Sequence, residues 1–324
     1  MNVLVTGGAG YIGSHTCLAL YEAGFTPITY DNLSRGHKHH VQFGPLEVGD
    51  IRDKERLSSV INKYKPITII HLAALAYVGE SMNEPSIYYD NNVNGTLTLL
   101  NVMLEEKINN IIFSSTCAVY GNPNNLPVTE KSPIKPVSPY GRTKFMIEQA
   151  INDFSCTYGI KYIILRYFNA AGGDSKGHIG ENHEPEPHII PRVIKTALGK
   201  IEYFNINGED YPTPDGTCIR DYIHVSDIAK AHILSFNKLL SGECGNKIIN
   251  LGGGGRGFSV LEIVKKIEMQ LGPIKTKSAN RRSGDAVQLY SDITKAKKLL
   301  GWSPEKSSLD NIIRTAIKWE KKQA

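Results

Sequence analysis

The sequence predicts an α/β fold: a doubly wound parallel sheet of the Rossmann kind, with a smaller mixed α/β C-terminal domain. Three observations carry that expectation. Through the first half of the chain, short β-rich runs that are apolar on both faces alternate with amphipathic helical patterns. A glycine turn joins the first run to the first helical stretch. Past about residue 170 the alternation gives way to a long polar loop, then to helices separated by short extended pieces.

In order, "NVLVTG" (2–7), "TPITY" (26–30), "ITIIHLAA" (67–74), "NIIFSS" (110–115) and "YIILRYF" (162–168) read as buried parallel strands. Between them, residues 12–23, 53–63, 86–106 and 142–158 have helical periodicity. Right-handed β-α-β crossovers then place helices on both faces of the sheet. The segment "AAGGDSKGHIGENHEPEPH" is a polar loop too long to be inert in a packed domain. Helices follow at 189–199, 226–240, 259–271 and 308–321, and "NKIINLGGGG" (246–255) is another buried strand and turn. The expected division is a cofactor domain over 1–170, with a return to its sheet near 220–255, and a substrate domain over 171–324.

Composition narrows the function classes. Of 324 residues, 41% are hydrophobic and 21% charged, the balance of a soluble globular protein. No apolar run approaches the roughly 20 residues of a membrane span, and the opening residues enter a strand directly, so neither membrane insertion nor a secretory leader is expected. Five scattered cysteines without Cys-x-x-Cys spacing read as reduced thiols, which places the protein in the cytoplasm. The net charge of +5 is mild and the lysines are interrupted by glutamate or apolar residues, a solvated helix face rather than a nucleic-acid patch. His37, His39 and His40, and the trio His178, His183 and His188, lack helical ligand spacing with a carboxylate. They are expected to be surface histidines, with no metal.

"VLVTGGAGYIGSHTCLAL" is strand, glycine turn and helix, with Gly7, Gly10 and Gly13 spaced G-x-x-G-x-x-G. The first two glycines let backbone amides approach a pyrophosphate, and Gly13 lets the helix pack tightly on the strand. The second strand ends at Asp31, eighteen residues past Gly13. A carboxylate there binds ribose hydroxyls and repels a 2′-phosphate, which favours NAD over NADP. Arg35 pulls the other way, because an arginine just past the acid is able to accept that phosphate. Asp50, in "VGDIRD", is a second carboxylate in reach of the adenosine.

"SPYGRTKFMIEQAINDF" puts Tyr140 and Lys144 one helical turn apart. The stretch reads equally as an ordinary helix start, with Ser138 as cap and Pro139 at the first position, and as a phenol held beside an ammonium for proton transfer.

The motifs taken together resolve more. "TGGAGYIGSHT", "DNLS", "GDIRD", "VGES", "YYDNNVNGT", "SSTCAVYG", "SPYGRTK", "LRYFNAAG", "DYPTPDGT", "RDYIHV" and "RRSGD" resemble, in order and from Val3 to about Trp302, the UDP-glucose 4-epimerase family of the extended short-chain dehydrogenase/reductase group. The resemblance implies NAD as cofactor, a UDP-sugar substrate, and a homodimer that pairs the helices near 86–106 and 142–158. It implies catalytic roles for Tyr140, Lys144 and Thr116. For NAD it implies Gly7, Gly10, Tyr11, Ile12, Gly13, Asp31, Asn32, Ser34, Arg35, Gly36, Asp50, Ile51, Leu72, Ala73, Ala74, Asn91 and Phe168, with Tyr140 and Lys144. For the UDP-sugar it implies Asn169, Ile189, Asn205, Asn207, Arg220, Tyr222, Arg282 and Asp285, beside Thr116 and Tyr140.

A free tyrosine has a pKa near ~10, so Tyr140 as a base needs neighbouring positive charge to favour its phenolate; Lys144 and the positive nicotinamide ring of the implied cofactor are the expected sources. Related dehydratases carry an Asp-Glu pair after the residue matching Thr116. Cys117 and Ala118 stand there instead, so dehydration is not expected. The sequence departs from the family at Ala76, where a lysine often helps to hold the NAD pyrophosphate. "AYVGES" and "SSTCA" also resemble UDP-arabinose (xylose) 4-epimerases, and Leu289, near the family's gate for a C2 N-acetyl group, is intermediate in size; UDP-glucose/UDP-galactose is expected ahead of UDP-GlcNAc or UDP-xylose. A non-catalytic NAD-binding scaffold is the reading from another class.

Overall fold

Seven parallel strands form the centre of the molecule in the computed structural model, which describes residues 1–282 and 285–323. Ser283 and Gly284, inside the "RRSGD" motif, lie outside the described residues. The first part of the chain runs β1 (Asn2–Thr6), α1 (Tyr11–Glu22), β2 (Thr26–Asp31), β3 (Leu46–Val48), α2 (Lys54–Tyr64), β4 (Thr68–His71), α3 (Val78–Asn83), α4 (Pro85–Tyr88) and α5 (Gly95–Glu105). It continues through β5 (Asn110–Thr116), α6 (Pro139–Tyr158), β6 (Lys161–Tyr167), β7 (Asn169–Ala171), α7 (Ile189–Ala197), β8 (Phe204–Asn207), β9 (Ile219–Arg220) and β10 (Tyr222–His224). The rest is α8 (Val225–Leu240), β11 (Lys247–Leu251), β12 (Phe258–Ser259), α9 (Val260–Leu271), β13 (Thr276–Ala279), β14 (Gln288–Leu289), α10 (Thr294–Leu300) and α11 (Leu309–Lys322).

The large sheet has the order β11-β6-β5-β4-β1-β2-β3. The strand order therefore reverses between β1 and β4, and in open α/β sheets a ligand crevice lies outside the carboxyl ends at such a point. Period-2 alternation divides the strand residues between two cores. Val3, Val5, Ile70, Ile112, Ile163 and Leu165 pack on one face with Leu20 of α1 and Phe236 of α8. Leu4, Ile28, Ile69, Ile111, Phe113 and Ile164 pack on the other with Leu57 of α2, Leu99 of α5 and Ile147 of α6. Each is at most 1% exposed, and burying a side chain of this size stabilises by about 1.5–3 kcal/mol.

A third core joins α7, α9 and α11 through Val193, Ile194, Ile263, Ile267, Ile312 and Ile313, under the parallel pair β8-β13. Two further small sheets, β10-β7 and β12-β9-β14, connect it to the large sheet. No helix among the described residues is long and apolar enough to cross a membrane.

One expected element differs in detail. The helical pattern over 86–106 is interrupted by a wide π-type turn at Tyr89–Asn94, between α4 and α5. Within it Asn92 is fully buried and clamps Leu75, accepting from its N–H at 2.8 Å and donating to its carbonyl at 3.0 Å. Such a turn is the usual way a helix re-aims a side chain, often at a functional site.

Candidate active site

The glycine turn follows directly from β1. Gly7 has φ +72°, and a Cβ there would come within 2.6 Å of Ala73 N, so the turn lies flat against the Leu72–Ala74 segment that leaves β4. A Cβ on Gly13 would sit 2.0 Å from the Gly7 carbonyl oxygen, the close helix-strand packing that the third glycine of such a motif provides. Gly10 caps α1 without a side-chain bond, and the helix has no acidic residue in its first turn. The amides of Tyr11, Ile12 and Gly13 are thus left to an external anion, as a pyrophosphate-binding turn requires. The Tyr11 hydroxyl donates to Gly172 O at 2.6 Å and ties this turn to the loop after β7.

Asp31 ends β2 with Oδ2 accepting from Ala9 N at 3.0 Å and Oδ1 from Leu33 N at 2.8 Å. Gly36 leaves no room for a side chain between Ala9 and this carboxylate. Asn32 accepts from Ser34 and donates to Asp50 at 2.9 Å. The Arg52 guanidinium holds the Asp50 carboxyl well below the usual range. Ile51 is buried against Gly95. Arg35 is bonded to Glu80 at 2.5 Å and stacked 5.1 Å over the Tyr77 ring. Its charge is thereby committed to Glu80 rather than offered to a 2′-phosphate, which removes the sequence's one argument for NADP. Asn91 donates to Asn92 at 2.9 Å from the π turn.

The Tyr-x-x-x-Lys pair opens α6. Ser138 Oγ accepts from Gly141 N at 3.1 Å and Pro139 takes the first helical position, so the turn is well capped. Thr116 ends β5 and is 8% exposed; its hydroxyl faces the Tyr140 phenol and favours the phenolate, but burial outweighs it and pushes Tyr140 up to about 12. Within the protein itself, the charges and hydrogen bonds acting on this phenol come from Thr116 and Cys117 rather than from Lys144. Lys144 is 2% exposed and donates to Ser114 O at 2.8 Å, with the Phe113 ring 4.7 Å from its Nζ. Burial draws its own pKa down to about 7, with Glu148, one turn along α6, pulling the other way. The ammonium takes the strand-end carbonyl because its long stem reaches under the helix to β5.

Across the cleft, Phe168 packs with Val119, Tyr120 and Leu289. Asn169 begins β7 opposite Tyr222 of β10, and its Oδ1 is buried with no hydrogen-bond partner, which marks a place for a ligand donor. Arg220 lies 3.4 Å from Asp285 and is near enough to Cys117 that its charge acts on that thiol, which burial pushes up to about 12. With its amide oxygen toward Arg282, Asn207 accepts from Nε and Nη2 at 3.2 Å. Asn205 precedes it on β8, and Ile189 is the first residue of α7.

Sequence reasoning missed several residues that build this site. Asn92 is one, and an asparagine in mid-helix was its only signal. Glu148 and Arg166 form a buried ion pair behind Lys144, with Nη2 to Oε2 at 2.5 Å and Nε to Oε1 at 2.9 Å. Of the expected surface histidines, His39, His178 and His188 are exposed, whereas His40 is buried and His37 and His183 are half-buried. His40 is 1% exposed, and the loop before α7 folds His183 and His188 against Glu181 and Glu186, two carboxylates at most 8% exposed. All four residues lie between 181 and 188, but in a non-helical loop their spacing matches no helical ligand pattern, and only the loop's path turns their donor atoms together.

A phosphate-binding glycine turn at the β1/β4 crevice, with a tyrosine and lysine beside β5, defines a dinucleotide-dependent enzyme of the short-chain dehydrogenase/reductase type. The profile of the NAD dependent epimerase/dehydratase family matches residues 3–252. The chain is 49% identical over 324 residues to a UDP-glucose 4-epimerase of Rhizobium meliloti (strain 1021), covering 99% of this chain and 98% of that one. A crystal structure of UDP-glucose 4-epimerase from Brucella ovis in complex with NAD is 48% identical, with 98% of each chain covered and a TM-score of 0.95. One from Bifidobacterium longum, in complex with NAD+ and UDP, is 38% identical over 99% of this chain and 98% of that one, with a TM-score of 0.94. The chain belongs to the NAD-dependent epimerase/dehydratase family, and NAD is its cofactor.

Proposed function

We propose that the protein is a UDP-glucose 4-epimerase, interconverting UDP-glucose and UDP-galactose. The observation that carries this is Thr116 at the tip of β5 facing Tyr140 of α6, with Arg220 near Cys117, an unpartnered Asn169 oxygen, and Cys117 and Ala118 where a dehydratase needs acids. Bound NAD supplies reversible removal of the sugar's C4 hydrogen as hydride. Tyr140 takes the proton from the 4-hydroxyl and returns it, and Thr116 shares that hydrogen bond. Lys144 serves from below, holding the nicotinamide ribose and the end of β5. Arg220 and Arg282 grip the diphosphate, since a planar guanidinium matches phosphate oxygens. The hexose then stays free to turn and present its other face while the nucleotide is anchored. Inversion at C4 without net redox follows.

The test is turnover of UDP-galactose to UDP-glucose with no added NAD, compared with UDP-GlcNAc and UDP-xylose. Binding of UDP-galactose without conversion sinks the enzyme reading. A far higher rate on UDP-xylose changes the preferred sugar and leaves the mechanism.

The protein works as a homodimer in the cytoplasm. Val78, Met82, Ile87 and Met146, each at least 42% exposed, stand on α3, α4 and α6, which pack together. The five cysteines are all free thiols, as a reducing compartment keeps them. Light scattering that gives the mass of one chain refutes the dimer, and recovery of the native protein outside the cytoplasmic fraction refutes the compartment.

A further inference from the structure

The loop between β7 and α7 carries a second constellation, outside the residues assigned to the cofactor and the sugar. Glu181, His183, Glu186 and His188 each present one donor atom, and all four atoms lie within 4.8 Å of one another. They are held there by different parts of the fold. His183 packs edge-on against the Tyr11 ring of α1 (6.3 Å between centroids) and the Tyr77 ring after β4 (5.7 Å). His188 is the cap residue of α7, and its ring centre is 5.0 Å from that of His183. The Glu181 carbonyl accepts from Trp319 Nε1 of α11 at 2.7 Å, which anchors the first ligand from the far side.

Two of the four donor atoms make no hydrogen bond, although each has an oppositely charged neighbour within 3.5 Å. Glu186 is 8% exposed; its Oε1 accepts from the His188 backbone N–H at 2.9 Å and lies 2.9 Å from His188 Nδ1, while Oε2 is buried without a hydrogen bond and faces His183 Nδ1 at 3.5 Å. His183 Nδ1 is buried and likewise makes no hydrogen bond. Buried polar atoms are nearly always hydrogen-bonded in folded proteins, so two that face each other at 3.5 Å without a hydrogen bond mark a place for a ligand between them. One carboxylate oxygen held by a backbone amide and the other left free is also how outer contacts orient a metal ligand.

We propose that Glu181, His183, Glu186 and His188 bind a single divalent cation of the zinc class. Two imidazole nitrogens and two carboxylate oxygens are a donor set that zinc accepts in tetrahedral geometry. With bonds of about 2.0–2.2 Å, the edges of that tetrahedron are roughly 3.3–3.6 Å long. His183 Nδ1 lies 3.4 Å from Glu181 Oε1 and 3.5 Å from Glu186 Oε2, already at that spacing. His188 Nδ1 lies 2.8 Å from Glu181 Oε1 and 2.9 Å from Glu186 Oε1, so His188 moves outward by roughly 0.5–0.8 Å when the ion enters. The two carboxylate charges neutralise the cation. The ion pins the loop before α7 against Tyr11 of the cofactor turn and Tyr77 after β4, and so sets the approach to Ile189.

The test uses the full-length protein with its cofactor, dialysed against chelator and then titrated with Zn2+ or Co2+. Metal retained after gel filtration is counted by mass spectrometry, and the Co2+ form is read by its visible absorption. The expected result is one ion per chain with the intense spectrum of four-coordinate Co2+. His183→Ala and the near-isosteric Glu186→Gln weaken binding by at least about 100-fold. His39→Ala, which removes an exposed imidazole stacked on His37, leaves it unchanged. No ion retained by the wild-type chain overturns the proposal, whether or not the variants fold. Retention that survives Glu186→Gln, or that is lost in His39→Ala, also overturns it.

Discussion

Replacing Arg166 by methionine strands a carboxylate behind the active-site helix, and the size of the loss follows from how completely Glu148 is enclosed. The two side chains are 3% and 0% exposed. Arg166 donates twice to Glu148 and once, at 2.8 Å, to the Tyr120 hydroxyl, over whose ring it also stacks at 5.0 Å. Without Arg166, Glu148 keeps only the Ser115 hydroxyl, at 2.5 Å. Removing one partner of a buried pair costs about 3–5 kcal/mol, because the remaining charge is neither hydrated nor paired. That is a drop of roughly a hundred- to several-thousand-fold in the folding equilibrium at about 1.4 kcal/mol per tenfold. The double variant Glu148→Leu/Arg166→Met removes both charges and leaves only Ser115, Tyr120 and packing to adjust, so its loss is at most about 2 kcal/mol. Urea unfolding followed by the fluorescence of buried Trp302 and Trp319 measures both. A double variant as unstable as Arg166→Met, or more so, refutes the argument, since the stranded charge is then not the source of the cost.

Gly13→Ala puts a Cβ 2.0 Å from the Gly7 carbonyl oxygen. The turn must shift by about 1 Å, with about 1–3 kcal/mol of strain, and NAD retained after desalting should fall by at least tenfold; wild-type retention would show that this packing is not what shapes the site. Tyr140→Phe should lower kcat by roughly 10²–10⁴ while UDP binding persists, and an active Tyr140→Phe enzyme removes the phenol from the proton path. Burial lowers His71 and His232 to about 3; His71 bonds Thr6 and Thr96 at 2.7 and 2.9 Å, with Lys144 the charge acting on it, and His232 bonds the Tyr167 hydroxyl. A folded-state pKa below the unfolded value of about 6.5 means that stability is complete above pH 6.5 and declines as pH falls toward 3, by up to about 1.4 kcal/mol per pH unit for each. Urea midpoints between pH 7 and 5 should therefore fall with pH, and less steeply in His71→Gln. Parallel curves for the two proteins contradict the assignment.

Much of this protein was determined locally and was legible in its sequence. Strands such as Ile111–Phe113 and Ile163–Leu165 are apolar on both faces because both faces are covered, and an unbroken apolar run shows it without knowledge of the partner strand. The glycine turn and the Ser138–Pro139 cap are set by backbone geometry within a few residues, so their spacing identified them. What only the tertiary structure decided involves partners far apart in the chain. Lys144 reaches Ser114 rather than Tyr140, Arg35 finds Glu80, Asn92 clamps Leu75, and Glu148 meets Arg166. Glu181 and Glu186 are near His183 and His188 in sequence, but only the folded path of their loop turns the four donor atoms toward one another. Hydrophobic periodicity says which face of an element is buried, but not which element covers it or which polar atom it brings. Those contacts depend on strand order, register and burial together, and burial here raised the tyrosine's pKa where sequence proximity to a lysine had pointed down.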